Sequence, residues 1–313
     1  MQPYAIRTSN LRRDFGPVRA VDGLSLEVAA GTVFGFLGPN GAGKTTTIRL
    51  LLGLLDPTDG RAEVLGFDTR TQADPIRAKC GALLEYNGLY ERVSAEDNLE
   101  FYGRVWHMNR AERQARIKEL LTETGLYDRR KEAVGTWSRG MKQKLAVART
   151  LFHHPELIFL DEPTAGLDPV AAAALREDLA SLADREGVTI FLTTHNLTEA
   201  EKLCQRVGVI NKGRLLAVGT LDELRAQNEA PRVEIAGSGF GEVILSKLRG
   251  RPEVRGMATT DGKLVIDLQA GVQTAPLVRL LVESGAEVEE VHKSKASLEE
   301  LFLTLVEEEG AKQ

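Results

Sequence analysis

The chain has 313 residues, 42% of them hydrophobic, which is enough for one large or two ordinary domains, and we expect two. Its 45 acidic residues outnumber its 40 basic ones and give a formal net charge of -5, so a nucleic acid is not expected as the main partner. Cys80 and Cys204 lie far apart without metal-ligand spacing, which argues against a disulfide framework or a zinc site and fits a reducing cytosol. No apolar signal core opens the chain, and no uncharged apolar run approaches the ~18 residues that a membrane span needs, so we expect any membrane-spanning part on another chain.

The first segments predict a small antiparallel sheet. Residues 5–11 and 24–28 alternate weakly between apolar and polar and are bounded by turn residues, as paired strands are, and residues 61–65 predict a further strand. Phe15 lies between the first two. Position alone leaves two roles open for its ring, a place in the core or stacking on a nucleotide base.

The most informative stretch is 38–46, which matches the pattern G-x-x-x-x-G-K-[ST]. It follows an apolar run at 33–37 that predicts a buried parallel strand, and it precedes a helical run at 47–52. Strand, glycine loop and helix N-terminus together form a phosphate cradle, because backbone N–H groups and the helix dipole favour an anion there. Lys44 is expected to reach the β- and γ-phosphates, and the Thr45 hydroxyl to ligate Mg²⁺. This context makes a chance glycine-rich turn the weaker interpretation.

The middle of the chain is predicted to be helical. Ser94 is a plausible N-cap for a first helix, a second helix is expected over 110–124, and Ser138 precedes a strongly helical segment at 141–151. The first turn of that third helix is a second place where free N–H groups and a hydroxyl could meet an anion. Alone, this feature is an ordinary helix cap.

Two buried strands are predicted to deliver polar residues to the same edge of a sheet. The apolar run 157–160 ends in Asp161 and Glu162, and the strand at 188–193, expected beside the cradle, is followed by His195. In open parallel sheets ligands bind at the carboxyl ends of strands. Asp161 therefore suits a Mg²⁺ shell and Glu162 the polarisation of an attacking water.

These motifs, in this order, resemble the ATP-binding cassette (ABC) ATPase family over about residues 4–225. The resemblance implies an α/β fold of the P-loop NTPase type, with a parallel-sheet core, an antiparallel β subdomain and a helical subdomain at about 94–152, in a nucleotide-binding domain at 1–228. The family pattern implies ATP contacts at Phe15, Gly38, Asn40, Gly41, Ala42, Gly43, Lys44, Thr45, Thr46, Ser138, Gly140 and Asp168. It implies catalytic roles for Lys44, Glu162 and His195, and Mg²⁺ ligands at Thr45, Glu85 and Asp161. It also favours base stacking for Phe15 over a place in the core.

The sequence departs from the family pattern at two positions. The signature is usually Leu-Ser-Gly-Gly-Gln, but residues 137–141 read Trp-Ser-Arg-Gly-Met. Glu85 stands where a glutamine is expected, in the Q-loop, and adds a negative charge beside the phosphates. With these departures, with the sequence LDEPTAGLDP at residues 160–169 and with its C-terminal part, the chain resembles the daunorubicin-resistance-like branch of bacterial exporters, whose ATPase and permease are separate chains.

A second domain is predicted over 229–313, after a linker at 228–231. Its predicted elements are strand 233–235, helix 242–248, strand 254–259, a turn at Asp261-Gly262, strand 264–268, helix 274–284, strand 287–292 and helix 297–306. This β-α-β-β-α-β order is the ferredoxin-like arrangement, a small α+β domain. No catalytic constellation is recognised in it, so we expect an accessory or dimer-stabilising domain, or simply a cap over the cassette.

The resemblance implies an ATPase that binds MgATP between two copies of itself, on the cytoplasmic face of the membrane, and drives separate transmembrane permease chains. Each ATP is expected on the glycine loop of one copy and against Ser138 and Gly140 of the other. The permease is expected to dock at 85–99, where Tyr86, Leu89 and Tyr90 either fill a groove or pack inside the cassette. The alternatives are a soluble ABC protein that remodels ribosomes or nucleic acid, and a P-loop kinase, in which the signature and His195 have no role.

Overall fold

The computed structural model describes residues 4–227, 232–260, 263–269, 272–294 and 298–311. The chain divides into two compact units, Met1–Thr220 and Leu221–Gln313. The division falls before helix α8 (Leu221–Gln227), whereas the sequence placed the boundary after it, at 228/229. The predicted linker at 228–231 lies outside the described residues.

The first unit is built on a six-stranded sheet of order β10-β9-β3-β8-β7-β6 in its described part. All neighbours are parallel except β10 and β9. The central strands are continuous apolar runs because both of their faces are buried. The strands are β3 (Val33–Leu37), β6 (Cys80–Leu83), β7 (Leu157–Asp161), β8 (Thr189–Thr194), β9 (Arg206–Asn211) and β10 (Arg214–Gly219).

A second, antiparallel sheet of order β2-β1-β4-β5 shares a core with the first. Its strands are β1 (Tyr4–Phe15), β2 (Val18–Ala29), β4 (Asp59–Val64) and β5 (Phe67–Asp68). Leu11 and Leu24 of this sheet belong to the same buried cluster as Phe34, Phe159 and Phe191 of the central strands. Each such side chain contributes about 1.5–3 kcal/mol by leaving water, so the two sheets hold each other in place.

The helices of the first unit are α1 (Lys44–Leu51), α2 (Ala73–Lys79), α3 (Ala95–Val105), α4 (Arg110–Glu123), α5 (Arg139–Thr150), α6 (Pro169–Glu186) and α7 (Leu197–Leu203). Two of them, α3 and α5, begin at the predicted caps Ser94 and Ser138. The Ser94 and Ser138 side chains accept from the backbone of their first turns, and Asn109 forms a reciprocal capping box with Glu112. α6 ends at Gly187, which adopts the left-handed conformation that glycine favours.

The second unit is a four-stranded antiparallel sheet of order β12-β13-β11-β14, with helices between strands. Its elements are β11 (Arg232–Ser238), α9 (Glu242–Arg249), β12 (Val254–Thr260), β13 (Lys263–Leu268), α10 (Ala275–Glu283), β14 (Glu287–Ser294) and α11 (Leu298–Ala311). This order confirms the predicted ferredoxin-like arrangement; the Asp261-Gly262 turn and the predicted start of the last helix at 297 lie outside the described residues. None of the helices in the described ranges combines the length and apolarity that crossing a bilayer requires.

Candidate functional site

An open cavity of about 550 Å³ lies at the carboxyl ends of the central strands of the first unit. It is formed where the loop after β3, the first turn of α1, the end of β7, the segment after β6 and the first turns of α5 meet. Its lining residues are Ala20, Asn40, Gly41, Gly43, Lys44, Thr45, Thr46, Arg49, Leu83, Leu84, Glu85, Asn87, Arg139, Gln143, Asp161, Glu162 and Ala165.

The glycine loop after β3 depends on close backbone packing. A Cβ at Gly38 would lie 2.3 Å from the Ile210 carbonyl oxygen, and one at Gly43 would lie 2.3 Å from that of Ala20, with Gly43 also at φ 105°. The Gly213 N–H donates to the Ala42 carbonyl at 2.9 Å and fastens the loop to the turn between β9 and β10. Of the predicted loop residues, Gly38 and Ala42 support the loop from behind, whereas Asn40, Gly41, Gly43 and Thr46 face the cavity.

Lys44 is buried, 6% exposed, and its ammonium group is fully engaged. Its Nζ donates to the carbonyl oxygens of Gly38 and Pro39 at 2.7 and 3.1 Å and lies 3.1 Å from Oε1 of Glu162. A buried charge must be paired in this way. Lys44 is thus held at the cavity by ligands that phosphate oxygens could replace.

Asp161, at the end of β7, is fixed by hydroxyls from two other elements. The Thr45 Oγ1 donates to its Oδ2 at 2.6 Å, and the Thr193 Oγ1 donates to its Oδ1. A carboxylate and a hydroxyl side by side are hard oxygen donors of the kind Mg²⁺ prefers. No group of three His, Cys, Asp or Glu suited to a metal occurs within the described ranges, so a Mg²⁺ ion here would complete its shell with phosphate oxygens and water.

Glu162 adopts a left-handed backbone conformation, φ 50°, that non-glycine residues avoid. Its N–H donates to the Thr193 carbonyl and hydroxyl at 3.1 Å each. Its carboxylate bridges two partners, Oε1 to Lys44 and Oε2 to Nδ1 of His195, the latter at 2.5 Å. This backbone conformation costs about 1–3 kcal/mol, and it places the Glu162 carboxylate between Lys44 and His195. The sequence predicted these three residues as one site but not this conformation.

A second layer of residues that the sequence analysis missed positions His195. The Thr194 Oγ1 donates to Oε2 of Glu199 at 2.8 Å, and the Asn196 side chain caps α7. Burial raises the pKa of Glu199 above its ordinary value, and the bond from Thr194 opposes that rise. The paired threonines at the end of a buried strand were the signal that could have revealed this layer, since buried hydroxyls require partners.

Besides Gly38 and Ala42, four of the predicted contact residues lie outside this cavity. Ser138 caps α5, with the Met141 N–H donating to its Oγ at 3.3 Å, and Asp168 caps α6 by accepting from Val170 and Ala171. These two residues, together with Gly140 and Phe15, do not line the cavity. Phe15 is 43% exposed and stacks under the Arg13 guanidinium, 4.6 Å from its ring centroid, so the core role is wrong.

Glu85 lies at the rim of the cavity with its side chain 66% exposed, and its Oε2 is 3.8 Å from Nη2 of Arg49. The segment that follows presents aromatic side chains to solvent. Tyr86 is 83% exposed, so it does not pack inside the cassette, and Tyr90 meets Phe101 edge to face with ring centroids 5.0 Å apart. The Asn98 side chain fixes the Tyr90 backbone through both its N–H and its carbonyl.

Comparison with known sequences identifies both units. The sequence profile of the ABC transporter family matches residues 21–165, and that of the DrrA1-3-like ATP-binding protein C-terminal domain matches 219–306. The daunorubicin resistance ATP-binding protein DrrA3 of Streptomyces coeruleorubidus is 38% identical over 97% of this chain and 96% of its own length. The bacitracin transport ATP-binding protein BcrA of Bacillus licheniformis is 36% identical, over 96% and 97% respectively.

Solved structures agree with the sequence matches. The ATP-binding subunit of an ABC transporter superposes with a TM-score of 0.64 at 31% identity and covers 72% of this chain and 93% of its own. CbiO1 of Clostridium perfringens, part of the ABC transporter complex cbiONQ, gives 0.67 at 25% identity and covers 80% and 97%. Both therefore share the fold that places the glycine loop and the two strand-end carboxylates.

Proposed function

The chain belongs to the ABC transporter ATP-binding family, and from this premise we propose that it is the motor subunit of an exporter whose membrane-spanning part is a separate chain. It is an ATPase, as the members of this family are. The observation that carries the proposal is the convergence of Lys44 and His195 on Glu162, beside the Thr45–Asp161 pair, in a cavity formed around a glycine loop. The relatives that match both units are named for drug resistance or antibiotic transport.

ATP binding begins as an exchange of ligands at Lys44. Its ammonium group leaves the carbonyls of Gly38 and Pro39 and takes phosphate oxygens, while the N–H groups of the loop and of the first turn of α1 face the remaining phosphate charge. Thr45 and Asp161 would hold Mg²⁺ through their oxygen atoms. When bound, Mg²⁺ neutralises charge on the phosphates.

Hydrolysis is assigned to Glu162. Its carboxylate accepts a proton from water as the water oxygen bonds to the γ-phosphorus and the bond to the β-phosphate oxygen breaks. Lys44 and His195, in contact with its two oxygens, hold the carboxylate in one orientation. We also assign His195 to contact the γ-phosphate, because it lies just after β8 and is in contact with Glu162, the proposed base.

Two copies are needed to complete the site. Ser138, Gly140 and Asp168 stand at helix N-termini outside the cavity of their own chain, where the Ser138 hydroxyl and the Gly140 N–H are donors that suit the ATP of a second copy. Phe15 is exposed and available to stack on the base. Closure of a homodimer around ATP and its opening after hydrolysis supply the motion that drives transport.

The permease is proposed to bind the exposed aromatic segment of the helical region. Tyr86 and Tyr90 follow Glu85, which lines the cavity, so this segment joins the ATP site to the surface. Phe101 extends the same apolar surface from α3. The protein then works at the cytoplasmic face of the membrane, attached through this contact.

The proposal is tested by purifying the tagged chain from gently solubilised membranes and cross-linking it through cysteines placed at Tyr86, Leu89 and Tyr90, with and without ATP. We expect an integral membrane protein to co-purify, and the cross-links to join it to the chain in an ATP-dependent way. Cysteines at Val243 and Val282, exposed on the second unit, are the matched controls. Cross-links confined to the controls contradict the docking surface, and recovery with ribosomes instead of a membrane protein favours the soluble remodeller, for which the relatives above give no support.

A further inference from the structure

The signature turn before α5, residues 138–140, is flanked by two residues that depart from the family pattern. Trp137 stands where the family usually has leucine, and Met141 where it usually has glutamine. Trp137 is 5% exposed, so its indole N–H needs a hydrogen-bond acceptor that a leucine would not need. Met141 offers a sulfur atom, a weak acceptor only, in place of an amide. Both substitutions therefore change what must hold the turn in place.

Glu132 supplies the acceptor for Trp137. The Trp137 Nε1 donates to its Oε2 at 3.3 Å. The same carboxylate accepts from Nε of Arg129 at 2.9 and 3.0 Å, and Nη2 of Arg129 lies 2.6 Å from its Oε2. The hydrogen bonds from Arg129 lower the pKa of Glu132 below its ordinary value, so the carboxyl group is ionised at neutral pH. The bond that it accepts from Trp137 is thus charge-assisted.

Arg129, at the end of a short 3₁₀ helix, carries the contact to the other flank of the turn. Its Nη1 donates to Sδ of Met141 at 3.2 Å. The N–H of Met141 in turn donates to Oγ of Ser138 at 3.3 Å. Indole, carboxylate, guanidinium and thioether therefore form a continuous series of contacts from the residue before the turn to the residue after it.

We propose that Glu132 is a positioning residue for ATP hydrolysis: through Trp137 and Arg129 it holds both flanks of the signature turn, so that the turn meets the ATP of the second copy in one conformation. The inference rests on the proposed function, in which Ser138 and Gly140 contact that ATP. Glu132 does not line the cavity of its own chain. Its loss should therefore weaken the site shared by two copies and leave ATP binding to a single copy intact.

The test uses the full chain carrying Glu162→Gln, which is expected to retain ATP. Sedimentation with ATP gives the chain concentration at which half of the chains are dimeric, and equilibrium dialysis at monomeric concentrations gives the affinity for ATP. Adding Glu132→Ala should raise the dimerisation concentration about 10-fold, the scale of one charge-assisted hydrogen bond, and change the ATP affinity less than about 2-fold. Glu132→Gln keeps an acceptor for the indole, so it should raise the dimerisation concentration less.

A second change tests the path through the indole. Trp137→Phe removes the indole N–H and keeps an aromatic ring. Because it breaks the same bond, adding Trp137→Phe to Glu132→Ala should weaken dimerisation no further. Glu27→Ala is the matched control: Glu27 pairs with Arg7 at 2.9 Å, and its side chain is 47% exposed against 43% for Glu132, but it belongs to β2. It should leave both quantities unchanged.

Unchanged dimerisation in Glu132→Ala, or equal losses of dimerisation and of ATP affinity, would overturn the proposal and leave Glu132 as an ordinary structural ion pair. Losses that multiply when Trp137→Phe is added would overturn the path through the indole. A Glu162→Gln chain that binds ATP without forming a dimer would instead contradict the proposed site between two copies, and one that binds no ATP would contradict the proposed function as a whole.

Discussion

Two groups of residues predicted for the site have different places in the structure. Lys44, Asp161 and Glu162 come from separate parts of the sequence and meet in one cavity, whereas Ser138 and Asp168 each cap the helix they precede and stand outside it. Parallel strands explain the first group, because their carboxyl ends share one edge of the sheet. Within the residues that the structure describes, no element brings the second group to this cavity. The comparison teaches that one half of the predicted site is brought together within a subunit, and the proposed function assigns the other half to a second copy.

The largest effect is expected from Glu162→Gln, which changes a residue of the first group, the one that meets in the cavity. We expect hydrolysis to slow by about 10²-fold or more, the scale of a lost positioned base, with ATP binding retained. The ATP-bound dimer should outlive that of the unmodified protein. Steady-state hydrolysis and size-exclusion chromatography with ATP measure both. Glu156→Gln, before the opposite end of β7, is the control, and an unchanged rate in Glu162→Gln would show that another group is the base.

Ser138→Ala tests the second group, the helix caps outside the cavity, independently of the first. We expect about a 10-fold loss of hydrolysis, from a lost bond to phosphate across the dimer, while the monomer's affinity for ATP stays within about 2-fold. The change also removes a helix cap, at a cost of about 1 kcal/mol. Asn109→Ala removes the cap of α4 at a similar cost without touching the site, so it isolates the stability component. Equal losses of hydrolysis in both variants would reduce Ser138 to a cap.

Variants of Glu85 test whether this rim residue belongs to the same functional group as Lys44, Asp161 and Glu162. We propose that Glu85, in the Q-loop position, is a ligand for the metal or for water. If so, Glu85→Gln and Glu85→Ala should raise the Mg²⁺ concentration for half-maximal hydrolysis by about 3-fold. That change corresponds to less than about 1 kcal/mol, as expected of an exposed carboxylate. The measurement is a Mg²⁺ titration of hydrolysis at fixed ATP. Three superimposable curves would make Glu85 an ordinary rim carboxylate paired with Arg49.

The smallest effect concerns Glu199 in the second layer. Burial raises its pKa, so ionising it costs folding stability that grows as the pH rises above the ordinary value of 4.5. Glu199→Gln keeps an acceptor for Thr194 and removes this cost. We expect its melting temperature to exceed that of the unmodified chain by on the order of 2 °C at pH 7, and the difference to vanish below pH 4.5. A difference independent of pH would show that ionisation is not the cause.

Much of the fold could be predicted because local patterns agree with it. The continuous apolar runs of β3, β7 and β8 and the caps at Ser94 and Ser138 each act within a few residues. The roles of Lys44, Asp161 and Glu162 followed from motifs that always sit at strand ends. These features need no knowledge of distant neighbours.

What could not be predicted depends on contacts between segments far apart in the sequence. The strained backbone of Glu162 is stabilised by Thr193, and the position of Arg139 depends on Gly166. A single sequence contains no sign of either pairing. For the same reason the exposure of Phe15 and Tyr86 emerged only when the sheet and helices around them were in place.

The bond from Gly213 to Ala42 creates a position sensitive to substitution that is far in sequence from the glycine loop it supports. Gly213 has φ 82°, and a Cβ there would lie 2.9 Å from the Ala20 carbonyl oxygen, in the hairpin that also packs against Gly43. A side chain at Gly213 would push on the glycine loop from behind. A genetic screen for loss of transport would therefore recover changes at Gly213 alongside those in the catalytic motifs. We expect such variants to bind ATP less tightly although no residue that contacts the nucleotide has been changed.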